Sequence, residues 1–217
     1  MNATHTDTDT RERLLRAAAE VFAQKGYEAA TVREICQAAS ANVAAVNYHF
    51  GGKERLYAAV LAHFERRAQE LFPLDMGLPP DPTPEDRLRA CIRALLLRVT
   101  GDGDPMHAAQ GKLLTLEIMN PTPALDPLVD TYMRPCVTHL ASIMLDLLGQ
   151  DAGPDLIRDC IGGVVGQCIF YGQHRAIIPR FHPEVTYDAQ GLVRIVEAIL
   201  RFSLHGIRGI QRAAGRE

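Results

Sequence analysis

Three neighbouring side chains in the N-terminal quarter of the chain, Ala44, Ala45 and Asn47, can contact the edges of DNA bases. An alanine methyl suits the methyl of thymine, and an asparagine amide suits the edge of adenine or, alternatively, a phosphate. The helix that would carry them is predicted by apolar residues at i, i+3 and i+7, which form its buried side: Val43, Val46 and Phe50. The three side chains then face outward, toward solvent or a partner.

Start and stop signals frame this helix. Thr31 and Glu34 have the spacing of a capping box and predict the start of a preceding short helix. Ser40 and Asn42 can each begin the next helix as its N-cap, and we favour Asn42. The pair Gly51-Gly52 predicts its end. Two short helices in this order form a helix-turn-helix, which inserts the end of its second helix into a DNA major groove.

Two further helices complete a small head. Apolar residues upstream recur at helical spacing up to Gly26, a predicted C-terminal cap: Leu15, Ala18 and Phe22. A longer helix restarts at Lys53 and keeps one apolar stripe to about residue 72. We expect these helices to share a small core.

This arrangement, with Tyr48-His49-Phe50 ending the recognition helix and Lys53-Glu54 beginning the next, resembles the TetR/AcrR family of one-component transcriptional regulators. The resemblance covers residues 11–72. It implies that Thr31 and Arg33 approach a phosphate and that other backbone contacts come from Tyr48, His49 and Lys53. The complete predicted DNA-contact set is Thr31, Arg33, Asn42, Val43, Ala44, Ala45, Asn47, Tyr48, His49 and Lys53.

The chain departs from the usual family pattern at four positions in the head. Ser40 replaces a turn glycine, Val43 a frequent lysine, Ala44 a glycine and Asn47 an aromatic residue. The base sequence that the head reads is therefore left open.

The charge of the head is balanced. Residues 1–60 hold seven Lys or Arg and seven Asp or Glu, and the chain of 217 residues has a formal net charge of -3. Because phosphate neutralisation sets the salt dependence of DNA binding, we expect a modest dependence, with helix N-termini and hydroxyls making many of the backbone contacts. A non-specific architectural DNA binder, one alternative function, fits this charge poorly.

The sequence predicts an all-α protein with three parts: a mobile tail (1–10), the head with its connecting helix (11–72) and a helical effector-binding and dimerisation domain (73–217). Prolines crowd residues 73–84 and predict a linker, after which helical periodicity returns in blocks. No apolar run reaches the about 18 residues of a membrane helix, and the polar start lacks a signal-peptide core. We expect a cytoplasmic protein without membrane contact, whose five cysteines are reduced and mostly buried.

The last two long blocks, residues 154–173 and 189–207, predict a dimer. Glycine within a helix costs up to about 1 kcal/mol relative to alanine, so Gly162, Gly163 and Gly166 indicate a close backbone approach. The resemblance likewise implies a homodimer through a four-helix bundle, although a purely internal core is the alternative. The predicted interface is Ile161, Gly162, Val165, Gly166, Ile169, Ile195 and Ile199. Two-fold symmetry would then predict a palindromic operator with recognition helices about one helical turn apart, or somewhat more.

The resemblance also implies a small-molecule effector that releases a repressor from its operator. Candidate effector-binding residues are polar or aromatic positions within apolar helical runs: Glu117, Arg134, His139, Phe170, Tyr171, His174 and Arg175. Each also has a structural interpretation, such as a salt bridge for Glu117 or a helix C-terminus for His174 and Arg175.

Enzymatic and metal-binding functions find little support. The sequence lacks a nucleophile elbow, a P-loop, a dinucleotide fingerprint and paired carboxylates, so we expect neither an enzyme in the helical domain nor a cofactor. Cys136 and His139 lie at i, i+3 and could chelate a metal, but no pair has the ligand spacing of a structural zinc site. We predict no metal site. We interpret Cys136 as a residue that packs against neighbouring side chains and His139 as a polar residue at the edge of that packing.

Overall fold

The computed structural model describes the backbone of residues 3–101 and 105–214, and the side chains of residues 8–101 and 111–212. Within these ranges the secondary structure is helical and contains no strand. The chain divides into two compact units, Met1–Arg67 with Asp104–Tyr132, and Ala68–Gly103 with Met133–Glu217. The sequence predicted one boundary, at residue 73, with everything after it in a second domain. In the structure, residues 104–132 instead belong to the same unit as the DNA-binding head.

Unit 1 contains the three head helices, most of the helix that follows them, and two later helices. They are α1 (Ala3–Ala29), α2 (Val32–Ala38), α3 (Val43–Phe50), α4 (Lys53–Leu71, whose last residues belong to unit 2), α6 (Pro105–Met119) and α7 (Leu125–Leu128). A π-helical turn (Val129–Met133) follows α7. Helix α6 packs against α1, and the side chains of Leu113 and Glu117 on α6 are fully buried.

Helix α1 begins at Ala3, so residues 3–10 are helical where the sequence predicted a mobile tail. Part of the physical reason is a local ion pair: Arg13 Nη1 lies 2.6 Å from the carboxylate of Asp9, at the i, i+4 spacing that supports a helix. The sequence predicted that this helix ends at Gly26. In the structure Gly26 has φ 75°, which is not helical, so the regular helix is interrupted at this residue. Glycine takes that conformation without the steric penalty of a Cβ.

The core of unit 1 is partly aromatic. The ring of Tyr57 on α4 packs edge-on against Phe22 at 4.8 Å between centroids, and it lies 4.9 Å from the ring of Tyr27. Phe22 and Tyr57 are both almost completely buried. This cluster joins α4 to α1 and its C-terminal end.

Unit 2 is a helical bundle of α5 (Pro84–Thr100), α8 (Arg134–Leu148), α9 (Pro154–Gln173), α10 (Ile178–Phe181) and α11 (Ala189–Ala214). Pro135 lies in the first turn of α8, where its missing amide hydrogen costs no hydrogen bond of the helix. Helices α5 and α9 pack closely at Gly172, where an added Cβ would lie 2.0 Å from Val99 Cγ1. Only glycine fits there without movement of Val99.

Three of the seven predicted interface residues belong to the core of this bundle. Ile161, Ile195 and Ile199 are buried within the single chain, together with residues of α5 and α8. The prediction is corrected for these three, because their side chains pack inside the bundle and do not form its surface. Gly162, Gly166 and Ile169 are exposed, and Val165 is half-buried.

Candidate nucleic-acid interface

The N-terminus of α2 is held by the predicted capping box. The Glu34 amide donates to Thr31 Oγ1 at 3.3 Å, and the Thr31 amide donates to Glu34 Oε2 at 3.1 Å. Lys25 Nζ donates to the other carboxylate oxygen of Glu34 at 2.5 Å. Lys25 and then Thr31 lower the pKa of Glu34 below its usual value. The positive charge of Lys25 offsets the negative charge of Glu34 at the N-terminus of α2. In the family pattern, this helix end lies near a DNA phosphate.

The turn between α2 and α3 depends on two residues. Ser40 has φ 49°, the left-handed conformation that the family's usual glycine adopts more easily. Asn42 is the N-cap of α3, as predicted, and its Oδ1 accepts the Ala45 amide at 2.8 Å. The Cys36 thiol donates to the Asn42 carbonyl at 3.4 Å and ties the cap to α2. The start of α3 is therefore fixed by local contacts.

One side of α3 is open to solvent. Tyr48 is 77% exposed, and Ala44 and Asn47 are also exposed. Val46 and Phe50 are buried as predicted, but Val43 is 45% exposed and does not extend their buried stripe. The first turn of α3 thus presents Val43 together with Ala44 outward, so a groove-facing surface here would be mostly apolar.

The C-terminus of α3 is surrounded by cationic and aromatic side chains. Gly51 ends the helix in the left-handed conformation with φ 77°. Lys53 Nζ lies 4.4 Å from the centroid of the Tyr27 ring and donates to the Glu28 carbonyl at 3.2 Å. The guanidinium of Arg11 lies 5.2 Å from the centroid of Phe50. The sequence analysis missed Arg11, because no local pattern connects it to a ring 39 positions away.

Comparisons with known proteins agree with this geometry. Residues 14–60 match the family described as bacterial regulatory proteins, tetR family, and residues 84–207 match the C-terminal domain of the HTH-type transcriptional dual regulator CecR. The second match alone covers more than half of the chain. This chain belongs to the TetR family of transcriptional regulators.

Individual relatives and structures are similar over different lengths. The dual regulator CecR of Shigella flexneri is 31% identical over 65% of this chain, but the match covers only 66% of CecR, just under two thirds. The transcriptional repressor NicS of Pseudomonas putida is 24% identical over 92% of both chains. The crystal structure of AibR with isovaleryl coenzyme A and operator DNA shares the fold, with a TM-score of 0.64 and 20% identity over 88% of this chain and 96% of AibR.

The predicted effector residues of this TetR-family protein are divided between the two units. Glu117 belongs to unit 1, and its carboxyl group accepts hydrogen bonds from Thr122. The other six residues belong to unit 2. Among these, Arg175 Nη1 donates to the Thr100 carbonyl at 2.7 Å, and the ring of His174 stacks on Phe170 at 4.8 Å.

The remaining three candidates also lie on unit 2 helices. The Tyr171 carbonyl accepts the Tyr187 hydroxyl at 2.8 Å, and its side chain is partly buried against the core. Burial, and then the charge of Arg87, lowers the pKa of His139. Arg134 is exposed at the start of α8. His174 is the C-cap of α9, and the Thr100 carbonyl that Arg175 contacts is at the last residue of α5.

The cysteines are all free thiols. Burial raises the pKa of Cys168 to about 12 and also raises the pKa of Cys91 strongly. Within the described residues no group of His, Cys, Asp or Glu is arranged to hold a metal ion. Across the same part of the chain, no helix is long and apolar enough to cross a membrane.

Proposed function

We propose that this regulator is a homodimeric repressor that binds a palindromic operator through α3 and is released by a small-molecule effector. The observation that carries the proposal is the exposed, capped α3, with Asn47 and Tyr48 facing outward from a buried anchor of Val46 and Phe50. A short helix with one side exposed to solvent can enter the major groove of DNA.

In this proposal the contacts to DNA divide into two kinds. Ala44 and Asn47 read base edges, whereas Tyr48, Lys53 and the N-terminus of α2 contact phosphates. His49, Thr31 and Arg33 belong to the second kind by their place in the family pattern. Lys53 supports this assignment, because an ammonium held against the Tyr27 ring keeps a defined direction and still has donors to spare.

A dimer through α9 and α11 is supported by exposed residues on both helices. The sequence analysis identified those on α9 but not those on α11. Added Cβ atoms at Gly162 and Gly166 of α9 would meet no atom of the described residues within 4 Å, so the packing seen in that part of the chain does not require glycine there. On α11, Phe202 is 72% exposed, and Gly206, four residues later on the same face, is also exposed. Large exposed apolar side chains beside a smooth glycine surface are typical of helices that pair with another copy.

A side-chain hydrogen bond joins the two helices close to these positions in sequence. Gln167 Nε2 on α9 donates to Ser203 Oγ on α11 at 3.2 Å. Gln167 neighbours Gly166, and Ser203 neighbours Phe202. We therefore propose Gly162, Gly166, Ile169 and Val165 of the original interface set, joined by Phe202 and Gly206, as the dimer surface.

The proposed effector is a small molecule bound by the helical C-terminal domain. The candidate residues of α8 and α9 lie within residues 84–207, the segment that is similar to the C-terminal domain of CecR, and this similarity supports the proposal that the effector binds there. AibR was crystallised with isovaleryl coenzyme A, so acyl-coenzyme A thioesters belong in the first screen. A compound that raises the melting temperature and lowers operator affinity would identify the effector, because linkage makes the two effects reciprocal.

The direct test is selective DNA binding by the full chain. A palindromic duplex recovered by in vitro selection should bind two protomers, whereas a scrambled duplex of equal composition should bind far more weakly in fluorescence anisotropy. Across a salt series, the slope should correspond to fewer than about ten neutralised phosphates. Equal binding to both duplexes would contradict the proposal and favour a non-specific binder.

A further inference from the structure

Arg55, in the first turn of α4, is a cation that the packing of unit 1 leaves free. It is exposed, and among the described residues its side chain has no hydrogen bond and no ion pair, not even with its neighbour Glu54. By contrast, Lys25 and Arg13 are each paired with a carboxylate of the head. A guanidinium carries five N–H donors and no acceptor, so all the donors of Arg55 are available to an anion.

The side chain of Arg55 is folded against the end of the recognition helix. A Cβ built at Gly51 would lie 3.0 Å from Arg55 Nη1 and 3.3 Å from Arg55 Cδ. The arginine therefore occupies the space that a larger residue at position 51 would need. Gly51 also takes the left-handed conformation, with φ 77°, which glycine adopts without steric cost. Glycine thus both ends α3 and lets Arg55 lie over that end.

A purely structural role for Arg55 is the alternative to weigh. A cation near a helix C-terminus can stabilise the helix by bonding to its last carbonyls or through the helix dipole. Within the described residues the Arg55 side chain bonds to no carbonyl of α3, so only the dipole interaction applies. That interaction uses none of the five donors, and it therefore does not compete with an anion.

The surroundings of Arg55 belong to the proposed DNA surface. Lys53, two residues earlier, is assigned a phosphate contact, and Tyr48 near the end of α3 is 77% exposed. Lys53 shares its ammonium with the Glu28 carbonyl and the Tyr27 ring, whereas Arg55 has no such partner. The planar fork of a guanidinium matches phosphate oxygens, to which it can donate two parallel hydrogen bonds.

We propose that Arg55 is a further DNA-contact residue, which binds a backbone phosphate just beyond the C-terminal end of α3. Its contact with Gly51 limits the conformations of the long side chain, so less entropy is lost when the phosphate binds. Because phosphates are the same in every sequence, Arg55 adds affinity and helps to position α3 but selects no base. This inference rests on the proposed function, and it extends the predicted contact set, which did not include Arg55.

The test measures affinity for the operator and its salt dependence in full-length variants, by fluorescence anisotropy. Arg55→Ala removes the guanidinium, and Arg55→Lys keeps the charge but loses the planar fork. The matched control is Arg66→Ala, because Arg66 is an exposed arginine of α4 whose side chain also lacks a hydrogen bond or ion pair among the described residues. Arg66 lies three helical turns after Arg55, on the same side of α4 and roughly 16 Å away. The probe is the palindromic duplex selected by the wild-type chain.

We expect each lost guanidinium contact to cost about threefold to tenfold in affinity. A dimer loses two such contacts, so Arg55→Ala should bind the palindrome about tenfold to a hundredfold more weakly. Its slope of log affinity against log salt should fall by about two units, since each phosphate contributes about 0.9.

The other variants separate charge, geometry and folding. Arg55→Lys should keep the wild-type slope and bind with an affinity between those of the wild type and Arg55→Ala. Arg66→Ala should match the wild type in both measurements. In vitro selection with Arg55→Ala should return the wild-type consensus, and both Arg55 variants should melt at the wild-type temperature, because exposed substitutions change stability little.

The contradicting results are equally specific. Wild-type affinity and slope in Arg55→Ala would show that no phosphate reaches Arg55, and an equal loss in Arg66→Ala would reduce the effect to the overall charge of the chain. Weaker binding with an unchanged slope, or a lower melting temperature in both Arg55 variants, would assign Arg55 to the stability of the helix end. If the wild-type chain selects no duplex at all, the proposed function fails and the inference fails with it, whereas the other failures leave the proposed function intact.

Discussion

The N-cap of the recognition helix allows the sharpest single-residue prediction. Asn42 Oδ1 accepts the Ala45 amide at 2.8 Å, and α3 is only eight residues long. A helix of this length has little stability of its own and depends on its ends and its buried face. Asn42→Ala removes the cap and leaves the Ala45 amide without that partner.

The magnitude follows from the lost hydrogen bond. Replacing an asparagine N-cap by alanine costs about 1 kcal/mol, within a range of roughly 0.5 to 2. Dividing by the thermal energy gives about a fivefold larger population of opened α3. Amide hydrogen exchange of α3 should therefore accelerate about fivefold in Asn42→Ala, while the amides of α11 in unit 2 should not change.

A second variant separates the two roles assigned to Asn42. Asn42→Ser keeps a side-chain oxygen for the cap, so its exchange rates should return to within about twofold of wild type. Both variants lack the amide NH2 group and should bind operator DNA more weakly if Asn42 also contacts DNA. Unchanged exchange in Asn42→Ala would refute the cap, and wild-type affinity of Asn42→Ser would reduce Asn42 to a cap alone.

Three further predictions concern packing, thiols and pH. Gly172→Ala should destabilise unit 2 by about 1 to 3 kcal/mol in urea unfolding, because the added Cβ would overlap Val99. Gly166→Ala should leave the fold of the monomer intact, but it should weaken dimerisation measured by sedimentation equilibrium. Cys136 should react first with iodoacetamide near pH 8, because the other four thiols are buried. The stability gained from Glu34 should be present above its unfolded pKa of about 4.3 and lost as the pH falls through its lowered folded pKa.

Each of these predictions has a contradicting result. Equal stability of the alanine variants at positions 172 and 166 would refute the assigned helix packing. Simultaneous modification of all five thiols would contradict the burial of four of them. For the pH prediction, Glu34→Gln is the comparison: its stability difference from wild type should shrink as the pH falls below about 4, the usual carboxyl range. A constant difference across the acid range would contradict the assignment.

The local features of the head could be predicted from sequence. Thr31, Asn42 and Gly51 act on backbone groups within four residues, so their type and spacing are sufficient to place the helix ends. Phe50 and Val46 were also correctly placed in the core. Val43 was not, because an apolar residue in the first turn of a short helix can lie beyond the edge of the buried face.

Features that depend on distant contacts could not be predicted. Glu117 is completely buried by the packing of unit 1, which depends on residues far away in the sequence, so the sequence left open whether Glu117 was solvated, paired or facing a ligand. The helices α9 and α11 are apolar over broad surfaces, and periodicity does not distinguish the side that faces the chain's own core from the side that faces a partner. Ile161 and Ile199 were assigned to the partner for this reason.

The glycines of α9 show how the structure resolves this ambiguity. The sequence indicated that a close approach explained Gly162 and Gly166 but not what approached. Among the described residues, no atom lies within 4 Å of a Cβ built at either position, whereas a Cβ at Gly172 on the same helix would overlap Val99. The close approach inside the chain therefore belongs to Gly172, and the open pair supports the proposed contact with a second copy.

The central claim, that the exposed side of α3 reads an operator sequence, is tested most directly by in vitro selection with the wild-type chain and with Asn47→Ala. Asn47 is exposed on α3, and its amide can bond to an adenine edge. We predict a palindromic consensus for the wild type and a changed or relaxed base preference at one position of each half-site for Asn47→Ala. An identical consensus for both proteins would contradict the assigned readout, and no consensus for the wild type would contradict operator recognition itself.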